Sequence, residues 1–123
     1  MLKVMDNKIY LTKGDDGVLP VNVTFGNNEA YTMGENDVLT LSVRKQPKAD
    51  SPLMMMAASN PGSNRIVIPA AATAEMDAGM YSADIQLTDG AGKHYTIWPD
   101  ATEVAPNGAK NFENFVLAPE VTA

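Results

Sequence analysis

Apolar and polar residues alternate from Val38 onward, with Leu39, Leu41 and Val43 on one face and Val38, Thr40 and Ser42 on the other. A period of two sends successive side chains to opposite sides, so this run predicts a strand with one buried face. The rhythm returns in "MYSADIQLTD", where Tyr81, Ala83, Ile85 and Leu87 oppose Ser82, Asp84 and Gln86. Shorter runs add further strands. "KIYLT" starts at Lys8, and "VLPVNVTF" starts at Val18 with Val21, Val23 and Phe25 on one side. "RIVIP" turns Ile66 and Ile68 one way, and "FENFVLAPEVT" turns Phe115 and Leu117 inward. "KHYTIWP" alternates His94, Thr96 and Trp98 with Tyr95 and Ile97, and "LMMMAAS" reads as a strand or an irregular edge.

Turn signals separate these runs. "KGDDG", "NPGSN" and "DGAG" supply glycine for positive φ and Asp or Asn for local backbone bonds. "GNNEAYTMGEND" and "DATEVAPNGAKN" read as polar connections, and two prolines break the chain in "QPKADSP". Pro20 cannot donate to a ladder, so its strand lies at an edge or starts there. The alanines of "AAATAEMDAG" predict at most one short helical turn near residues 70–77, too short to stand alone. Strands punctuated in this way predict an all-β sandwich or barrel. The length of 123 residues predicts a single domain, residues 1–123, around one core.

"DAGMYSA" narrows the choice. It resembles the immunoglobulin pattern Asp-x-Gly-x-Tyr-x-Cys, with Ala83 in the place of the cysteine. In such sandwiches a tyrosine at the start of one strand folds its hydroxyl back onto the chain just upstream. Gly79 allows the turn into the strand, Tyr81 offers a ring for the core and a polar tip, and Asp77 can bond turn amides. The expected fold is an immunoglobulin-like β-sandwich of about seven to nine antiparallel strands, with Asp77, Gly79 and Tyr81 as its tyrosine corner.

Composition removes several function classes. With no cysteine there is no disulfide, thiolate metal site or cysteine nucleophile. The net charge of −6 and scattered basic residues argue against nucleic acid as a partner. No run approaches a membrane span, and Asp6, Asn7 and Lys8 leave no apolar region for a signal peptide. The expectation is a protein folded in cytoplasm, with no membrane insertion.

No residue set announces catalysis. His94 is the only histidine, no serine sits in a Gly-x-Ser-x-Gly elbow, and the enzyme reading is set aside, with no cofactor and no metal expected. The Lys-Gly-Asp of "KGDD" reads as a hairpin turn. Asp15, Asp16, Asp37, Asp77 and Asp84 read as solvated turn carboxylates, since their spacing is not that of a calcium loop. Asp89 belongs to its hairpin. Tyr95 and Trp98, with Tyr31, suggest a sugar platform if exposed. Met54, Met55 and Met56 offer an adaptable apolar contact surface, or else core on one face and a covered edge on the other.

Four segments in order also resemble a family. They are Thr12, Lys13, Gly14, Asp15, Asp16 and Gly17; Asn36 and Asp37; Gly79, Tyr81, Asp84 and Ile85; and Glu120, Val121 and Thr122. Together they are similar to small tail and baseplate-associated proteins of tailed phages and prophages of Gram-positive bacteria. The likeness is strongest to the immunoglobulin-like amino-terminal domain of baseplate upper proteins. Lys13 stands where that family usually has arginine, and Asn36 where it usually has glycine. The resemblance implies a non-enzymatic structural module of a virion. Its partners would be other phage structural proteins, with homo-oligomers among the expected assemblies and any receptor-binding region on another polypeptide. Pro20, Met54, Met55 and Met56 are the expected contacts. The alternative is a carbohydrate- or cell-surface-binding module using Tyr95 and Trp98.

Overall fold

The computed structural model describes residues 2–5, 8–24, 29–46, 50–99 and 113–119. The expected connection at 100–111, Phe25 at the end of the run that starts at Val18, and the Glu120–Val121–Thr122 motif lie outside the described residues. In chain order the elements are β1 (Leu2–Met5), β2 (Lys8–Thr12), β3 (Gly17–Pro20), β4 (Val38–Arg44) and β5 (Leu53–Ala58). They continue with β6 (Arg65–Ile68), α1 (Ala70–Thr73), β7 (Gly79–Thr88), β8 (His94–Trp98) and β9 (Phe115–Ala118).

These form an all-β sandwich. The large sheet runs β1-β2-β9-β7-β4-β5, with β8 also paired to β7, and the small sheet is β3-β6. The order β9-β7-β4-β5 facing β3-β6, with a tyrosine leading into β7, is an immunoglobulin-like plan. One pairing departs from the expected antiparallel set: β2 and β9 are parallel, with Ile9 opposite Phe115 and Leu11 opposite Leu117. Parallel neighbours need a long connection, and strands near opposite ends of the sequence have one. β1 is a strand that the alternation does not predict. It folds antiparallel onto β2, pairing Leu2 with Leu11 and Val4 with Ile9.

The core follows the alternation. Leu39, Leu41 and Val43 on β4 meet Leu87, Ile85 and Ala83 across the β4–β7 ladder, and all are buried. Leu19, Ile66 and Ile68 close over them from the small sheet. Each buried aliphatic side chain contributes about 1.5–3 kcal/mol relative to exposure. The helical turn is a single one, and groups distant in sequence hold it. Asp16 Oδ1 accepts from the Ala70 N–H at 2.7 Å, and the Gly14 N–H donates to Thr73 Oγ1 at 3.0 Å. Gly14 has φ 82°, a conformation that favours glycine. The Lys-Gly-Asp tripeptide is therefore a turn, as expected, and the turn also braces α1.

β7 is ten residues long, and two strands share its second flank. β9 pairs with Gly79 to Tyr81, and β8 pairs with Ile85 to Thr88. Between them stands Ala83. The side-chain amide of Asn114 fills this gap: its Oδ1 accepts from the Ala83 N–H at 2.6 Å, and its Nδ2 donates to the Ala83 carbonyl at 2.9 Å. The Asn114 carbonyl also accepts from the Ile9 N–H at 2.8 Å. One buried residue thus splices β2, β9 and β7 where the immunoglobulin pattern would place a cysteine.

Candidate protein-contact edge

β5 is the last strand of the large sheet. Among the described residues no strand pairs with its outer flank; just past its end Ser59 bridges to Ile66, and β6 and α1 lie near it. Met55 and Ala57 face inward opposite Val43 and Leu41, whereas Met56 stands opposite the outward Ser42. A bulge between Val43 and Arg44 turns Leu53 and Met54 outward. Met56 is 56% exposed and Met55 only 5%. Met55 therefore leaves the expected contact set, because a period-two strand cannot present three successive side chains on one face. Met54 and Met56 stay in it, joined by Leu53.

The Ser59 N–H donates to the Leu39 carbonyl at 2.8 Å. By the alternation of an antiparallel ladder, Met55 and Ala57 also turn their backbone groups toward β4, and Met56 and Ala58 turn theirs away. The six residues of β5 carry no charge. An uncharged, exposed strand edge of this kind is a template for pairing with another chain. Pro20 is exposed as well, at the end of β3 opposite Arg65 and in the other sheet. The two expected contact regions therefore belong to different sheets.

The tyrosine corner is present. The Tyr81 hydroxyl donates to the Asp77 carbonyl at 2.5 Å. Burial, and then the Asp77 charge, push the phenol above its ordinary value, so it stays protonated as a donor. Asp77 thus serves through its main-chain oxygen, and its carboxylate side is exposed. Gly79 has φ 155° with open space where a Cβ would stand, so backbone conformation and not crowding favours glycine.

Two carboxylates depart from the solvated expectation. Asp37 is buried, accepting from the Tyr31 hydroxyl at 2.5 Å and the Gly34 N–H at 2.8 Å. The Tyr31 bond and then the backbone donors hold its carboxyl below the usual range. Asp84, on the outward face of β7, is half-buried, and desolvation raises its carboxyl although Arg44 pulls the other way. Asp89 behaves as a hairpin residue, its Oδ1 accepting from the Ala91 and Lys93 N–H groups at 3.0 and 2.9 Å. His94 lies exposed in β8 with Nδ1 2.9 Å from Thr88 Oγ1. Among the described residues no three His, Asp or Glu side chains group as metal ligands would.

The aromatic pair is rearranged by a bulge. β8 pairs Tyr95 with Leu87 and Trp98 with Ile85, with a register shift between Ile85 and Gln86. Tyr95 and Trp98 therefore share a face, and Trp98 does not align with His94 and Thr96 as strict alternation predicts. Trp98 is half-buried and packs on the core beside Ile97, while Tyr95 is exposed. Trp98, Ile97, Val21, Val23 and Val4 line a cleft of about 640 Å³ between the sheets. Tyr31, the third aromatic, is committed to Asp37.

No helix among the described residues is long and apolar enough to cross a membrane. Comparison with known proteins finds no family model, no curated protein and no solved structure that matches the chain.

Proposed function

We propose that this protein is a non-enzymatic structural module of a phage or prophage tail or baseplate, carried in the virion, that binds other protein subunits through β5. The observation that supports the reading is the uncharged outer edge of β5, with Leu53, Met54 and Met56 exposed beside unpartnered strand backbone. Added strands gain main-chain hydrogen bonds, and the alternate side chains supply specificity. Methionine suits such a contact because its unbranched thioether adapts to the partner's shape. The phage context comes from the sequence resemblance.

The test is co-purification of the chain with further copies of itself and with the products of the genes beside its own. A partner is expected among them, with capture falling about tenfold or more in Met56→Lys, which plants a charge in the joint. Capture equal in both proteins would remove β5 from the reading. Tail genes are expected beside its own, and metabolic genes there would remove the phage assignment.

A second reading has one observation in its favour: the bulge brings Tyr95 and Trp98 to one face, and Trp98 also lines the cleft. Binding of a carbohydrate there would retard the protein in a gel containing the glycan, and Trp98→Ala would abolish the shift.

A further inference from the structure

Thioethers are the only sulfur in this chain, which has eight methionines and no cysteine. The fold divides them sharply. Met55 and Met76 are each 5% exposed, whereas Met5, Met54, Met56 and Met80 stand in the open. Ladder register places Met5, Met56 and Met80 on the outer face of the large sheet, opposite Lys8, Ser42 and Val116. Met56 is the most exposed of them and the one whose backbone faces the free edge.

We propose that Met56, with Met54 beside it, is an oxidation site that controls how apolar the β5 edge is. The inference rests on the reading of β5 as the contact edge. The oxidant is a peroxide. A sulfur lone pair attacks one oxygen of hydrogen peroxide, the S–O bond forms and the O–O bond breaks. The departing hydroxide takes the proton from the transferred oxygen and leaves as water. Sulfur loses two electrons and the peroxide gains them. The product sulfoxide is polar and chiral, and it disrupts methionine-rich contacts. Two strand positions then change from apolar to polar without any change in charge. Met55, one residue away but turned inward, keeps the core intact, so the edge is altered while the fold survives.

The test exposes the folded full chain to hydrogen peroxide and maps added oxygen by mass spectrometry. Met56 and Met54 are expected to react well before Met55 and Met76. Equal rates at inward and outward positions would overturn the proposal. Retention on a hydrophobic-interaction column is the second readout, and it needs no partner. Oxidised wild type is expected to elute earlier, and reduction by methionine sulfoxide reductases to restore it. The double variant Met54→Leu, Met56→Leu keeps the edge apolar and removes both sulfurs, so the shift should shrink to what the exposed Met5 and Met80 supply. A shift as large in that variant would assign the effect elsewhere and sink the idea. Failure of the contact reading is separate: both readouts would hold, while co-purification would be indifferent to oxidation.

Discussion

The two end strands of the large sheet's main path, β1 and β5, differ in length, charge and mooring. β1 is a four-residue strand carrying Lys3, and β5 is a six-residue strand carrying no charge. Short strands and lysines are the devices that keep an edge from pairing with other chains. β1 has both, and β5 has neither. Mooring runs in the same direction. β5 hangs on β4, which matches β7 over seven residue pairs from Val38 to Arg44. β1 hangs on β2 and β9, and β9 matches β7 over three pairs plus the Asn114 amide. The edge open to pairing is thus the one anchored firmly enough to carry a partner, which is why the contact reading rests on β5 and not on β1.

The largest test of that contrast is Asn114→Ala. It leaves the Ala83 N–H and carbonyl buried without partners, at about 1–3 kcal/mol each. Unfolding by denaturant should show a loss of about 2–6 kcal/mol. Hydrogen exchange should quicken in β2 and β9 more than in β4 and β5, and a uniform change would erase the difference in mooring. Tyr81→Phe comes next. It keeps the ring and removes the bond to the Asp77 carbonyl, with an expected cost of about 1 kcal/mol. No measurable loss would mean that the hydroxyl does not fasten the corner.

The two unusual carboxylates allow a pH test with opposite signs. Asp37 is held below its unfolded value, so its contribution is present above about pH 3.9 and fades as pH falls through the lower folded value. Asp84 is raised, so its contribution is fully present below about pH 3.9 and is lost as pH rises through the higher folded value. In Asp84→Asn the protein should gain or hold stability at neutral pH, and Asp37→Asn should lower it. Thermal melts of both variants across pH 3 to 7 would reveal a wrong sign in either.

The smallest expected change in stability accompanies an exchange of edge character. Met56→Lys and Lys3→Met are surface substitutions and should each stay within about 0.5 kcal/mol of wild type. Association should nevertheless disappear with the first and rise with the second. If light scattering finds neither, edge chemistry does not decide association.

Strands with one wet and one dry face could be read from sequence, because period-two alternation is a local signal. Leu39-Leu41-Val43 and Tyr81-Ala83-Ile85-Leu87 are the clearest cases, and both runs are buried. The tyrosine corner was also legible, since its parts lie within five residues. What escaped carries no period-two signal and depends on how folded segments meet, whether near or far in sequence. The burial of Asp37 needs Tyr31 and Gly34 folded around it. The face of Trp98 depends on a bulge opposite Ile85, and one extra residue reverses the alternation. β1 was missed because Leu2–Met5 gains its partner only from β2. Asn114 sits in an ordinary-looking Glu-Asn-Phe run, and nothing nearby signals that its amide will serve Ala83. The exposed side chains of β5 were anticipated as alternatives, but which methionine faces in was set by register against β4.

The parallel pairing of β2 with β9 has a mechanical consequence. Tension applied before Lys8 and after Ala118 would pull these two strands lengthwise in opposite directions. Their rungs would share the load in shear instead of opening one after another, whereas β1, folded back as a hairpin, would peel away first. Forced unfolding is governed by the unfolding rate. A module strained between neighbours would therefore release its first hairpin early and hold on through β2 and β9.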